Sequence, residues 1–271
     1  MPNFFAHYLH GEKVLEALPN QVLKNITNKK VFFIGLQGPD IFYPYKVLSL
    51  SHTYKVNGIG SKIHKKPFIK FMNKLFEKNE LPFSDDLFSY MAGFICHFSL
   101  DSICHPYIDL AAKKNKFSHG EIEVEFDRIL LELEGYAPIQ MKISDLVYVP
   151  NVKNKALKEI AKAFKSYKKI TPKVLARALK DFKFFKEFFY APFPMKQQVL
   201  EFFCRALLMN KVYNSCVMRT RVNPKSFVTN SGLIFLFSDC VEDACELIIN
   251  FYQRCQDPEV KLSKKFKRTF V

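Results

Sequence analysis

The sequence predicts an all-α fold, on three observations. Apolar residues recur at helical spacing along most of the 271 residues, with no run of alternating strands joined by hairpin turns. Glycine occurs only nine times, which is few for a turn-rich β fold of this length. Hydrophobic residues make up 48% and charged residues 25%, the balance of a globular chain that buries a full core, so disorder is excluded. The first helix is placed at 4–17. Val31–Leu36 reads as a strand or as a turn of buried helix. A long periodic stretch gives a helix over 58–79. The next helix covers 84–105: Ser84 reads as its N-cap, Asp85 and Asp86 as acidic first-turn residues, and Pro106 as the residue that stops or kinks it. A further helix covers 117–135, and Ile139–Val149 reads as irregular or extended. Helices over 154–168, 173–189, 195–210 and 238–254 complete a multi-helix bundle with a helical C-terminal extension.

Charge divides the chain unevenly. Lys and Arg number 41 against 26 Asp and Glu, for a formal charge of +15. Residues 1–150 hold 17 basic and 16 acidic side chains, whereas 151–271 hold 24 and 10. The Lys-rich stretch 150–173 is a candidate boundary, giving regions 1–150 and 151–271. No Gly/Ser linker separates them, so they are expected to pack as one unit. With 29 Phe, 12 Tyr and no Trp, the core should be rich in phenylalanine. Seven cysteines at irregular spacing, without a CxxC pair, argue against a disulfide framework or a cysteine zinc finger and suit reduced thiols. The first residues lack the basic start and apolar stretch of a secretory leader. The most apolar segment, Leu87–Leu100, is 14 residues long and ends at Asp101, short of the about 20 needed to span a bilayer. The expectation is a cytoplasmic protein, peripheral at the membrane if it meets one.

Chemistry is concentrated in two consecutive helices. His97, Asp101 and His105 follow one another at steps of four and so share roughly one helix face. His119 and Glu123 repeat that step on the next helix, and Asp127 adds another four. Imidazole and carboxylate at i, i+4 form a natural chelating pair for Zn²⁺. Eight residues of helix rise about 12 Å, too far for His97 and His105 to share one ion. Asp101 lies between them with two oxygens, which favours a multinuclear site. The competing reading is a hydrogen-bonded triad that merely holds helices together. It is weakened because Met91–Leu100 is otherwise apolar, and an Asp and two His buried there without strong partners would be costly. His10 and His52, by contrast, read as ordinary core or surface residues. Cys96 and Cys104 point about 100° away from the neighbouring histidines and read as core thiols.

The run Met91-Ala-Gly-Phe-Ile-Cys-His97-Phe-Ser-Leu-Asp101-Ser-Ile-Cys-His105-Pro-Tyr, followed by His119-Gly-Glu-Ile-Glu123, resembles the zinc-dependent phospholipase C family. Gly35-Leu-Gln-Gly-Pro-Asp40, Gly60-Ser-Lys-Ile-His64 and Phe-Phe-Ala-His7 resemble its upstream segments, so the likeness spans roughly residues 1–135. It implies an all-α enzyme that hydrolyses phosphodiester bonds, with a phospholipid or a related phosphodiester as substrate. It further implies a first zinc on Asp40, His64, His97 and Asp101, and a second on His105, His119 and Glu123. A third would use Asp101 as a bridge together with His7. Asp40 is the implied residue that orients or deprotonates the attacking water. Secreted members chelate zinc through the backbone of an N-terminal Trp, and this sequence has no Trp. The expectation is therefore two tightly held zinc ions and a third weak or absent. His and carboxylate donors suit zinc without excluding Fe²⁺ or Mn²⁺. The alternative reading is a non-catalytic protein that keeps a degenerate form of this site for metal-stabilised folding or partner binding.

Residues 151–190 contain 12 Lys/Arg and 3 acidic residues, with Phe182, Phe185 and Phe189 at helical spacing beside Lys180, Lys183 and Lys186. This pattern allows weak contact with an anionic membrane surface. The favoured reading is an amphipathic helix with Phe in the core and Lys in water. No nucleic-acid motif accompanies the charge, so no specific nucleic-acid partner is expected. Oligomeric state is not legible.

Overall fold

A computed structural model describes residues 3–47, 54–115 and 117–271. His52 lies outside these residues. Among the described residues there are twelve α-helices, three 3-10 turns and no strand. Asn3 accepts a hydrogen bond from the Phe4 N–H and starts α1 (Phe4–Ala17). The short α2 (Asn20–Leu23) leads to α3 (Lys29–Gly35), capped by the Asn28 side chain on the Val31 N–H. The ambiguous segment at 31–36 is therefore helical. A 3-10 turn, Gly38–Phe42, carries Asp40.

The helix expected over 58–79 is two helices, α4 (Tyr54–His64) and α5 (Phe68–Lys78). Pro67 separates them, because its ring drives the preceding residue out of the helical region. The next difference is larger. α6 (Asp85–Asn115) does not stop at Pro106 but continues past it for more than two turns. An interior proline costs a helix about 3 kcal/mol. Here α6 is the central rod, packed on α1, α3, α8 and the later helices α7 (His119–Leu133) and α12 (Ser226–Gln256), and that packing outweighs the local cost. By length and composition α6 could also cross a membrane, but 89% of its apolar window is buried inside the protein. Its apolar side chains are core.

Ser118 and Glu121 form a reciprocal capping box that starts α7. Ile139–Val149 is irregular apart from a 3-10 turn, Ile143–Leu146. The second half contributes α8 (Lys155–Ala163), α9 (Pro172–Phe189), α10 (Pro194–Ala206) and α11 (Asn210–Cys216) before α12, which is longer than the expected 238–254. A last 3-10 turn, Lys264–Lys267, precedes a tail that tucks Phe266 and Phe270 fully into the interior.

The main apolar cluster draws on both sides of residue 150, joining Phe4 and Phe94 to Leu157, Phe164, Leu247 and Phe270. Phenylalanine dominates it: Phe68 alone lies against Phe71, Phe94, Phe98, Phe266 and Phe270. α3 and α6 cross at two glycines. A Cβ on Gly93 would lie 2.1 Å from the Phe32 carbonyl oxygen, and one on Gly35 2.2 Å from that of Tyr90. In α9, Phe182 and Phe189 are buried but Phe185 is only half-buried, and of the lysines beside them Lys180 is exposed while Lys183 and Lys186 are half-buried; Phe184 and Phe188 face solvent. All seven cysteines are free thiols.

Candidate metal centre

α6 sets the site because it presents His97, Asp101 and His105 along one buried face. Asp101 is at the centre, with no solvent exposure. Its Oδ2 lies 3.2 Å from His97 Nε2 and 3.4 Å from His64 Nε2. Its Oδ1 lies 3.4 Å from His7 Nε2 and 3.8 Å from His105 Nε2. One carboxylate thus faces four imidazoles, two per oxygen. Asp40 Oδ1 completes one side, 3.2 Å from His64 Nε2 and 3.9 Å from His97 Nε2. On the far side Glu123 Oε1 lies 2.8 Å from His119 Nε2 and 3.7 Å from His105 Nε2.

Donor atoms form three groups, the atoms within each lying within 4.8 Å of one another: Asp40 with His64 and His97, His7 with His97 and Asp101, and His105 with His119 and Glu123. All eight candidate residues fall in these groups, and His97 and His105 fall in different ones. His10 does not. It is a buried core residue with its edge against Phe237, and burial takes its pKa down to about 4.

The orientation of each ring is fixed from behind. His64 Nδ1 donates to the Gly60 carbonyl at 2.8 Å, His97 Nδ1 to that of Leu36 at 3.1 Å, and His105 Nδ1 to that of Phe270. His119 Nδ1 donates to Asp109 Oδ1 at 2.7 Å. In each case Nδ1 is taken up by that donation, which turns Nε2 toward the carboxylates, the arrangement that outer-shell partners impose on metal-binding histidines.

The inward atoms have no comparable satisfaction. His7 Nε2, His64 Nε2, His97 Nε2, His105 Nε2, Asp40 Oδ1 and both Asp101 oxygens are buried without an aligned hydrogen bond. So many orphaned buried polar atoms would be costly in a structure that gave them no further partner. A divalent cation accepting N and O donors is the partner that fits.

Charge follows the same geometry. Burial opposes ionisation of Asp101, but the imidazoles around it, His97 and His105 first and then His64 and His7, hold its carboxyl well below the usual range. Burial would lower His64, yet Asp101 and Asp40 raise it to about 10. His7 is taken down to about 4, first by burial and then by His97, with which it stacks at 4.2 Å. Burial opposes ionisation of Glu123 too, and His105 and His119 contribute to holding its carboxyl low.

Local backbone chemistry brings Asp40 into place. Gly38 has φ +46, and a Cβ there would lie 2.4 Å from the His97 ring, so only glycine lets the 3-10 turn approach α6 this closely. Asp127, one step beyond Glu123, serves the scaffold. Its two oxygens accept from the Phe5 and Ala6 N–H groups at 3.1 and 2.8 Å, anchoring the first turn of α1 and with it His7. Burial raises its carboxyl to about 7 despite those bonds. The centre meets solvent at one end, where the His119 side chain is 34% exposed. A cavity of about 480 Å³ lined by Glu121, Glu125, Gln197 and Arg219 lies on the opposite face of α7 and is not part of it.

Two residues here were not picked out from the sequence. Asp109 continues the four-residue series of α6 by one more step, a signal hidden by the expectation that Pro106 ends the helix. Phe270 carries no local signal at all.

A sequence model of the zinc dependent phospholipase C family matches residues 6–181, further along the chain than the motifs alone reach. No curated protein and no solved structure matches. The match covers well over half of the 271 residues and contains every donor described above, so the chain belongs to the zinc-dependent phospholipase C family.

Proposed function

We propose that the protein is a zinc-dependent phosphodiester hydrolase acting on a phospholipid or a related phosphodiester. The observation that carries this reading is Asp101, a fully buried carboxylate whose two oxygens face separate sets of histidines with no hydrogen bond to satisfy them. Asp40, His64, His97 and Asp101 would hold one zinc, and His105, His119 and Glu123 a second. A third, weaker position would use His7 and Asp101. Bound zinc would supply charge neutralisation at phosphorus and a nucleophilic water at neutral pH. Asp40 would be the carboxylate that orients that water and takes its proton. Addition of the water oxygen to phosphorus breaks the bond from phosphorus to the alcohol oxygen, which leaves with a proton. Exposure of the centre at His119 supports a hydrolase over a metal-stabilised binding protein, which needs no path to its ligands.

The test pairs elemental analysis of protein purified without added metal with hydrolysis of bis(p-nitrophenyl) phosphate and of short-chain phosphatidylcholine below its micellar concentration. We expect at least two zinc ions per chain and turnover abolished by chelation, in line with three donor groups of which two share His97. Trace metal after zinc reconstitution overturns the metal assignment. Full metal without turnover of either substrate overturns the hydrolase.

A further inference from the structure

α10 is amphipathic in the wrong direction for a soluble helix. Gln197, Leu200 and Cys204 form its inward stripe, seated on a small satellite cluster with Phe189, Tyr213 and Val217. Met195, Val199, Phe202 and Phe203 follow the same helical spacing on the outward side, and their exposures run from 49% to 76%. The stripe continues past the helix end into Leu207 and Leu208, the latter 92% exposed. Leu208 also has φ +57, a left-handed conformation that glycine adopts without strain. That conformation closes the end of α10, with the Leu208 N–H on the Arg205 carbonyl at 3.0 Å and the Met209 N–H on that of Cys204 at 2.7 Å, while the Leu208 side chain itself adds only exposed apolar surface. Exposed apolar surface of this extent marks a site of interaction.

Two further observations identify the partner. Between residues 180 and 230 there are nine Lys/Arg against three acids, Asp181, Glu187 and Glu201, so the segment that carries the apolar stripe is strongly basic, with Lys196 and Arg205 on α10 itself. Apolar side chains framed by Lys and Arg match the boundary of an anionic bilayer, where rings enter the acyl region and cations meet headgroups. α11 connects the stripe to α7, the helix that carries part of the centre. Leu207 and Leu208 run directly into α11, which lies against the first turn of α7 so closely that a Cβ on Gly120 would overlap Ser215. That turn begins with His119, the exposed member of the donor groups.

We infer that α10 and the 207–208 turn insert into anionic phospholipid bilayers and hold the protein at the headgroups. The inference rests on the phosphodiesterase reading for its purpose, but the docking itself is measured without turnover. The full-length zinc-loaded protein is floated with vesicles of phosphatidylcholine alone and of phosphatidylcholine with phosphatidylglycerol, at low and high salt. The double variant Phe202→Ser, Phe203→Ser removes two exposed rings and leaves the core untouched. We expect salt-sensitive flotation with the anionic vesicles, reduced at least about tenfold in the variant. The melting temperature and the hydrolysis of bis(p-nitrophenyl) phosphate should be unchanged. Wild-type protein that stays in the soluble fraction with both vesicles at low salt overturns the inference, as does a variant that floats equally well. A wild-type dimer that the variant converts to monomer, without vesicle binding, also overturns it and makes the stripe a contact between two copies. Binding with no turnover of any phosphodiester sustains the docking and sinks the hydrolase instead.

Discussion

At the scale of single residues, protons and metal compete for the same lone pairs. His64 has an ordinary pKa of 6.5, and in this site Asp101 and Asp40 outweigh burial and raise it to about 10. A histidine raised in the folded state gives the metal-free protein stability that is full below pH 6.5 and lost as pH rises towards 10. Zinc needs the same nitrogen deprotonated, so its affinity should rise with pH across that window, the opposite slope. Zinc uptake at pH 7 should therefore release about one proton from His64. Calorimetric titration in buffers of different ionisation enthalpy counts it. A heat that does not depend on the buffer would show that His64 is not protonated or not a ligand.

At the scale of elements, α3 and α6 decide where the donors stand. Their crossing at Gly35 and Gly93 sets the height of the Leu36 carbonyl on His97 and of the turn that carries Asp40. Gly93→Ala places a Cβ 2.1 Å from the Phe32 oxygen, and the helices must part to admit it. We expect a loss of roughly 3 kcal/mol in chemical denaturation and a weakened Asp40, His64 and His97 group, read as loss of the first metal. An unchanged midpoint would mean the crossing is not tight.

Much of this level was legible in the sequence. Helices over 4–17 and 173–189 follow directly from apolar periodicity, and the spacing of His97, Asp101 and His105 fixed which residues share a face. The misreadings came where tertiary packing outweighs a local rule. Pro106 should end α6, yet the buried rod carries on and delivers Asp109 to His119. The split at Pro67 is the opposite case: there the local rule prevails. The outward apolar stripe of α10 was invisible because periodicity gives a face but not its direction.

At the scale of the whole molecule, the centre gathers residues from nearly the full chain. His7 comes from the first helix, and Phe270 packs against the rings of His64 and His97 at 5.0 and 5.8 Å. No motif marks that tail, since its partners are distant in sequence. Phe270→Ala should cost roughly 3–5 kcal/mol, the usual range for emptying a buried aromatic site. It should also loosen zinc held by the His64 and His97 side of the centre. Thermal denaturation with and without a chelator separates the two effects, and a variant that melts like wild type in both would remove the tail from the site.

The hydrogen bond from His105 to the Phe270 carbonyl spans 165 residues. Closing a loop of that length is slow because its entropy must be lost before any contact returns it. During refolding, the helical hairpin of α6 and α7 can bring His105, His119 and Glu123 together long before that closure. An ion captured early would find His105 free to choose either tautomer. The final tautomer is chosen only when the tail arrives, so the rate at which the second group reaches its mature affinity becomes a clock for the last step of folding.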